Sequence, residues 1–243
     1  MANLKTQIGG IPLENPIMVS SGPLTDTPDI LKKVDDFGAG GVILKTSLLE
    51  QDFSRALKPH APRSFGRWMA SYERCEDGQM ALDGLSHWST ERWCEWIPQN
   101  INNFRMKLIG SIAGTTLEGY VEGAKMLEKA GVPAIEILLA CPLPWFRPFR
   151  YCMTSDPKIV EEIVTEVRKA VKIPIGAKVF PYPGSLARTA VKCGCQWVTL
   201  GGVFLGAPAV NLDTLEVVFA TDTAICGTTI AKYMSYRSLL HVN

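Results

Sequence analysis

Short apolar runs alternate with amphipathic stretches along most of the chain, and this alternation predicts strands separated by helices. The apolar runs lie near residues 17–20, 41–45, 108–112, 134–140, 173–179 and 197–201. Continuous apolar runs are typical of strands covered on both faces, as in parallel sheets. The sequence therefore predicts a parallel (β/α) core with at least six units, joined by right-handed crossovers.

Capping residues place the predicted helices between these strands. Thr27 and Pro28 suit the N-cap and first position of a helix that ends at Gly38. Its apolar stripe is Ile30, Leu31, Val34 and Phe37. Further helices are predicted to begin at Ser89 and to cover 117–130, 157–171, 185–193 and 228–242.

Three segments do not follow this alternation. Residues 4–13 are predicted to form a small hairpin that turns at Gly9 and Gly10. Residues 47–88 and 142–155 are predicted to be long irregular loops. Loops of that length inside a compact domain are usually functional.

Composition limits the classes of function. The 243 residues are 47% hydrophobic, which suits a single domain over 1–243. With 25 Lys and Arg against 24 Asp and Glu, no strong field favours nucleic acid or an anionic membrane. No apolar run approaches the ~18 residues of a membrane span, and no apolar signal segment opens the chain. Seven scattered cysteines, an odd number, indicate reduced thiols in a cytoplasmic protein, and their spacing indicates no metal site.

The choice of fold is between a doubly wound sheet and a barrel. No G-x-G-x-x-G motif follows the first strand, so the dinucleotide-binding unit of a doubly wound sheet is not supported. Polar residues instead lie at several strand ends, at Ser20–Ser21, Lys45–Thr46, Cys141 and Lys178. Because barrel enzymes collect their site from many strand ends, we expect a (β/α) barrel.

Cys141 is the sharpest single candidate for chemistry. The apolar run 135–140 ends at Cys141, and Pro142 stops the strand because it cannot donate a ladder hydrogen bond. One interpretation makes Cys141 a catalytic thiol at the carboxyl end of a barrel strand. The other makes it a small buried core residue, since free cysteine is among the most buried residue types.

Several motifs resemble those of the dihydroorotate dehydrogenase family, which includes the flavin half of dihydropyrimidine dehydrogenase. In chain order they are Gly10–Ile17 with Ser20–Gly22, Gly40–Thr46, Glu136–Pro142, Ala177–Pro181 and Gly227–Ile230. The similarity extends from about residue 8 to the end of the chain. The resemblance implies a flavin-binding (β/α)8 barrel that carries FMN at the carboxyl ends of its strands.

The resemblance also implies roles for individual residues. Cys141 would exchange a proton with one substrate carbon while the flavin moves a hydride at the other. The residues implied to contact FMN are Ser21, Gly22, Lys45, Thr46, Lys178, Gly202, Gly227 and Thr228. In this interpretation the two lysines stabilise negative charge on the reduced flavin. Ordinary snorkelling is the alternative explanation for them.

The chain departs from the family pattern where pyrimidine substrates are held by asparagine amides. Leu138, Ala140 and Leu143 replace polar residues around the cysteine, and Gly201–Gly202 replaces an asparagine–threonine pair. Asp83 is the nearest match for a further asparagine. Because a buried pyrimidine would lose several hydrogen bonds here, we expect a substrate other than a standard pyrimidine.

Aromatic residues in the two long loops leave two interpretations open. They are Trp68, Trp88, Trp145 and Phe146. They suit a hydrophobic or aromatic small-molecule substrate, and they suit structural packing equally well.

The sequence ends at Asn243, just after the sixth predicted helix, whereas a (β/α)8 barrel has two more units that carry phosphate-binding loops. We therefore expect an incomplete barrel that binds FMN weakly or not at all on its own. A second copy or a partner subunit is expected to close it. The leading function is a flavin-dependent oxidoreductase acting on a CH–CH bond. The alternatives are a non-catalytic or split-barrel subunit and another barrel enzyme, such as a phosphate-sugar or pterin-using lyase or transferase.

Overall fold

The structure is a computed structural model. It describes residues 3–56, 72–75, 78–82, 85–140, 151, 156–180, 183–201, 204–206 and 226–229. Cys141, Gly202 and the loop residues Trp68, Asp83, Leu143, Trp145 and Phe146 lie outside the described residues.

The described elements alternate between strands and helices for most of the chain. The strands are β1 (Thr6–Ile8), β2 (Ile11–Leu13), β3 (Met18–Val19), β4 (Gly41–Ile43), β5 (Tyr72–Cys75), β6 (Gly78–Leu82), β7 (Lys107–Ile112), β8 (Ile135–Leu138), β9 (Ile175–Val179), β10 (Trp197–Leu200), β11 (Phe204–Gly206) and β12 (Cys226–Thr229). The helices are α1 (Pro28–Asp36), α2 (Glu50–Ala56), α3 (Thr90–Asn100), α4 (Leu117–Ala130), α5 (Pro157–Ala170) and α6 (Ser185–Lys192).

Six strands form one sheet in the order β10-β9-β8-β7-β4-β3, and every neighbouring pair is parallel. The sheet curls into a half-barrel with helices packed against it, which confirms the predicted parallel (β/α) barrel fold. All six predicted strands are present, although most are shorter than the apolar runs. Since every strand runs the same way, their carboxyl ends meet at one edge, called here the strand-end face.

The helix-facing side of the sheet is almost entirely apolar. Side chains such as Leu108, Ile137 and Val179 pack there against Leu127 and Val164 of the helices. Each of these five residues is buried. This layer is the main hydrophobic core, and its burial is the dominant favourable term in folding.

The inner side of the half-barrel is plugged at its base by the β1–β2 hairpin. Ile8 and Ile11 pack against a small cluster of Ile43, Ile109 and Ala134. The hairpin turns at Gly9 and Gly10, as predicted, and both glycines have positive φ angles of 54° and 85°. The base of the inner side is therefore apolar, and polar residues begin above it.

Most of the predicted helix signals are confirmed by the caps. Ser89, Thr116 and Asp156 each accept a backbone hydrogen bond at the start of α3, α4 and α5. The prediction for α1 was wrong in one respect, because Phe37 lies just past the helix and is 94% exposed. Thr27 is the N-cap of α1, as predicted, but its side chain makes no capping hydrogen bond.

Two predictions of local structure were wrong. The segment 47–88 is not irregular throughout, because it contains α2 and the antiparallel pair β5–β6. Residues 226–229, expected to turn into a final helix at Thr228, form β12, which pairs antiparallel with β6 and β11. Threonine favours strands, and pairing of this segment with β6 and β11 makes it a strand and not the start of a helix.

Within the part of the chain that the structure describes, no helix is both long enough and apolar enough to cross a membrane.

Candidate functional site

A chain of hydroxyl groups links three strands at the strand-end face. Ser21, which follows β3, and Thr46, which follows β4, approach to 3.0 Å between Oγ and Oγ1. Thr46 Oγ1 lies 2.8 Å from Ser111 Oγ on β7. The backbone N–H of Thr46 also donates to Ser21 Oγ at 3.0 Å. These mutual bonds fix the three hydroxyls in place and satisfy them, as buried polar groups require.

Lys178 of β9 reaches the same place from the far side of the half-barrel. Its Nζ donates to the backbone carbonyl of Ser21 at 3.5 Å, so residues 157 positions apart meet at the strand-end face. Side chains alternate between the two faces of a strand, which places Lys45 on the inner side above Ile43. Lys45 is only 3% exposed. The structure therefore brings Ser21, Thr46 and Lys178 together, as their positions at strand ends predicted.

Gly22 leaves open space beside this cluster. A Cβ on Gly22 would meet a single atom within 4 Å, the carbonyl oxygen of Ser20 at 3.6 Å. Its φ of −176° is ordinary extended backbone. Neither crowding by the chain nor an unusual backbone angle requires a glycine here. The space beside the backbone of Gly22 is open, so a planar ligand could approach it closely.

Glu136 lies one layer below Lys178 on the inner side, and it is fully buried. Its Oε2 accepts a hydrogen bond from Thr199 Oγ1 at 2.5 Å. Its Oε1 has no hydrogen-bond partner among the described residues. Burial raises the pKa of this carboxyl above its usual range, although the nearby Lys178 cation and the polar groups of the Thr199 and Trp197 side chains oppose the rise. The site therefore holds a cation above a carboxyl group that burial keeps from ionising readily.

The layer that contains Glu136 is closed by Trp197. Gly176 pairs in register with both Glu136 and Trp197. A Cβ at Gly176 would lie 2.0 Å from Cε2 of Trp197, so the indole occupies the space that any other residue would need. The indole Nε1 is buried and has no hydrogen-bond partner in the described part of the chain.

The part of the strand-end face nearest β8 is apolar. Leu138 and Ala140 are buried, and Leu138 pairs in register with Lys178. A Cβ on Gly201 would lie 3.4 Å from the Ala140 Cβ, so small and apolar groups meet at this point. Leu138, one of the residues at which the chain departs from the pattern of the resembled family, thus lies beside Lys178.

Asp26, Ser86 and His87 form a second polar cluster, which the sequence analysis missed. Asp26 is fully buried, and its Oδ2 lies 2.5 Å from His87 Nδ1. Its Oδ1 accepts from Ser86 Oγ at 2.6 Å. Sequence offered no signal for this cluster, because Asp26 and His87 lie 61 positions apart in two loops.

Trp88 belongs to an aromatic cluster. Its ring centroid lies 4.7 Å from that of Trp93 and 6.4 Å from that of Trp96, and Arg92 stacks over it at 4.2 Å. These contacts give Trp88 a packing role at the start of α3. Of the four loop aromatics considered as substrate contacts, Trp88 is the one that the structure describes, and it favours the packing interpretation for its own position.

Two cysteines outside this face are poor nucleophiles. Burial raises the pKa of Cys94 to about 12, with a smaller contribution from the charge of Glu91. Burial also raises the pKa of Cys195 to about 12, with Cys193 adding to it and Arg168 opposing it. Because the thiolate is the reactive form, neither thiol is suited to chemistry at neutral pH.

Among the described contacts, none joins the four remaining predicted site residues to this cluster. Gly227 and Thr228 lie in β12, where they pair with Ala81 and Met80 of β6. Cys141 and Gly202 fall outside the described residues. The roles implied for these four positions stay predictions.

Comparison with known proteins agrees with the parallel (β/α) fold. Residues 3–196 match the family model described as dihydroorotate dehydrogenase. The catalytic subunit of dihydroorotate dehydrogenase B (NAD(+)) from Alkaliphilus metalliredigens is 27% identical over 90% of this chain and 68% of that protein. The subunit of the same name from Thermoplasma volcanium is 30% identical over 78% of this chain and 58% of its own length. The one from Bacteroides fragilis is 26% identical over the whole chain and 76% of the relative.

Proposed function

Because this chain belongs to the dihydroorotate dehydrogenase family, whose members are oxidoreductases acting on CH–CH groups, we propose that it is an FMN-dependent oxidoreductase of that type. The observation that carries the proposal is the convergence of Lys178 with Ser21 and Thr46 at the strand-end face. A cation, fixed hydroxyls and an open glycine position are the groups that a flavin ring needs around its polar edge.

The described residues fit the ring of FMN in specific ways. Lys178 and Lys45 would place positive charge beside it, while Ser21 and Thr46 would supply hydrogen-bonding groups. Gly22 would let the ring approach the backbone. Gly202, Gly227 and Thr228 are proposed as further FMN contacts on the resemblance alone.

When bound, FMN would supply the acceptor for a hydride leaving one substrate carbon. Cys141 is proposed to exchange the proton of the neighbouring carbon, as the resemblance implies. Lys178 would stabilise the negative charge that builds up on the ring, because a preorganised cation in a site shielded from water acts strongly.

The substrate is proposed to be a small molecule other than a standard pyrimidine. Leu138, Ala140 and Gly201 present apolar surface beside Lys178, in the place where a pyrimidine would need amide partners. A ring with few hydrogen-bonding groups suits this surface better.

A second subunit is part of the proposal. The relatives are named as catalytic subunits, and the matched regions cover 54 to 76% of their lengths. In the described sheet, β3 and β10 are the two edge strands, and a chain that paired with such an edge would extend the sheet toward a closed barrel. We propose a partner subunit or a second copy that completes the barrel, in a cytoplasmic setting suggested by the odd number of cysteines.

The alternative function is a barrel subunit with no flavin chemistry of its own, favoured by the loss of polar residues at Leu138 and Ala140. Reconstitution with FMN separates the two functions. Under the proposal the FMN-treated protein keeps flavin absorbance bands after desalting, in the presence of its partner. A colourless protein under all these conditions would support the alternative.

Replacing the proposed acid–base residue tests the chemistry. Cys141→Ala should leave FMN binding intact and slow anaerobic flavin reduction by about 10²–10⁴-fold, the usual range for loss of a general acid or base. The reductant is the small molecule that bleaches the wild-type flavin fastest in an anaerobic screen of CH–CH donors, with dihydroorotate included as the pyrimidine reference. Cys193→Ala is the matched control and should reduce at the wild-type rate. Equal rates in both variants would remove Cys141 from the mechanism.

A further inference from the structure

Glu136 is a buried acid whose surroundings satisfy only part of its carboxyl. Its Oε2 accepts a hydrogen bond from Thr199 Oγ1, whereas its Oε1 has no hydrogen-bond partner among the described residues. An ionised carboxylate offers two acceptor oxygens, and burying it is unfavourable unless donors or a cation satisfy them. One hydroxyl does not meet that requirement, so the charge on Glu136 depends on the charges nearby.

Lys178 is the cation that acts on this carboxyl. Glu136 is in register with Gly176 of β9, and Lys178 lies two positions further along β9, so both side chains project from the inner side. Thr199, whose hydroxyl bonds Glu136, is the register partner of Lys178 on β10. The charge of Lys178 lowers the pKa of Glu136 against the larger rise caused by burial. Lys178 Nζ also donates to the Ser21 carbonyl, so the same cation contacts the cluster proposed to hold FMN.

The strands on either side of Glu136 present neutral groups as well. Ser111 is its register partner on β7, and Trp197 is the register partner of Gly176 on β10. The indole of Trp197 also lowers the pKa of the carboxyl, with a smaller effect than Lys178. Further charged or titratable groups at the strand-end face are Lys45 and, on two loops hydrogen-bonded to the segment after β4, the Asp26–His87 pair. A substitution of Lys178 alone keeps all of these groups constant.

A structural role alone gives no reason for an acid at this position. Gly176 already leaves the space that the Trp197 ring fills, since a Cβ there would lie 2.0 Å from Cε2 of the indole. An apolar side chain in place of a buried ionic group is often neutral or stabilising. A buried carboxyl with a shifted pKa and a specific charged partner is, by contrast, typical of functional sites.

We propose that Glu136 is a positioning residue that acts through Lys178, because its ionisation sets how much of the Lys178 charge is available to a flavin at the strand-end face. The inference rests on the proposed flavin function. With Glu136 neutral, the pair carries a net positive charge, and with Glu136 ionised the two charges cancel. A hydride accepted from the substrate adds negative charge to the ring, so neutral Glu136 favours the reduced ring. By reciprocity, reduction favours neutral Glu136, which takes up a proton from solvent.

Nuclear magnetic resonance of the glutamate carboxyls tests the coupling without flavin. In protein labelled with 13C-glutamate, Glu136→Gln identifies the Glu136 signal, which should titrate above the usual glutamate range. Lys178→Met removes the cation and should move this titration to higher pH, and Thr199→Val, which removes the hydrogen bond, should move it in the same direction. Lys129→Met, an exposed change on α4, is the matched control and should leave it in place. A Glu136 titration that Lys178→Met does not move would overturn the inference.

FMN in its two redox states tests the link to the flavin. Chemical reduction of saturating FMN should move the Glu136 titration of the wild type to higher pH, because the reduced ring carries more negative charge. Conversely, ionisation of Glu136 should lower the preference for reduced over oxidised FMN, measured as the ratio of the two dissociation constants, by about 5–150-fold, the usual range of coupling between two sites. Glu136→Gln should lack this part of the pH dependence, and Glu161→Gln, an exposed change on α5, should keep it.

The two levels of failure are distinguishable. FMN that binds, as judged by quenching of its fluorescence, without moving the Glu136 titration on reduction would overturn this inference and leave the proposed function standing. This comparison uses the wild type, and the joint response to Lys178→Met and Thr199→Val identifies its Glu136 signal even if Glu136→Gln does not fold. No FMN binding at any concentration, with or without a partner, would overturn both.

Discussion

The helix-facing and inner sides of strands β7 to β10 carry opposite kinds of residue. On the helix-facing side Ile137, Ala177 and Val179 are buried against α4 to α6 with no polar atom among their side chains. On the inner side the same strands present Glu136 and Lys178. Burial of the helix-facing side stabilises the fold. On the inner side, by contrast, burial of the charged groups costs free energy. The inner side is therefore the one shaped for function.

The largest expected difference between the two sides is in stability. Ile137→Ala should lower the free energy of unfolding by about 2–5 kcal/mol, since it leaves a cavity in the main core. Ser111→Ala, on the inner side of the neighbouring strand, should lower it by only about 0.5–1.5 kcal/mol, as expected for one hydrogen bond. Urea denaturation compares them. Equal losses would mean that the hydroxyl chain is part of the structural core.

Overpacking tests the inner layer directly. Gly176→Ala should destabilise the protein by about 1–3 kcal/mol, because its Cβ would overlap the Trp197 ring. Gly184→Ala is the matched control, since its Cβ would meet only Arg188 Nη1 at 3.9 Å. A thermal shift for Gly176→Ala no larger than that of the control would show that Trp197 does not fill the inner layer.

The dependence of stability on pH probes the buried charge. Glu136 has a raised pKa in the folded state, so the folded state binds more protons than the unfolded state above the usual glutamate pKa. Stability should therefore fall as pH rises from the unfolded pKa through the folded one. Glu136→Gln should remove this fall, and its advantage over the wild type should vanish below about pH 4. Glu161→Gln, an exposed change on α5, should follow the wild-type curve in thermal melts across the same range.

Sequence predicted the helix-facing side well because that side is built from local signals. Apolar runs predicted the six strands, and Thr27 and Ser89 marked the starts of two helices. The small antiparallel sheet was missed, because Tyr72–Cys75 is largely polar and β12 begins with Cys226–Gly227, and neither has a clear alternation.

On the inner side, the polar residues at strand ends were found because they interrupt apolar runs. Lys45, Thr46 and Lys178 were recognised in this way. Glu136 lies in the Glu136–Pro142 motif, where the resemblance implies no role for it, although a lone charge inside an apolar strand is itself a signal of a polar site. Asp26 and His87 gave no signal in the sequence, because their loops come together only in the folded chain.

The central claim is that the inner side of the strand ends holds FMN, and titration with FMN tests it most directly. The account predicts weak but saturable binding by the isolated chain, tightened by a partner that completes the barrel. Lys178→Met should weaken binding by about tenfold or more, as loss of a charge-assisted contact implies. Lys129→Met, an exposed change on α4, should leave it unchanged. Equal FMN affinity in Lys178→Met and the wild type would contradict the claim.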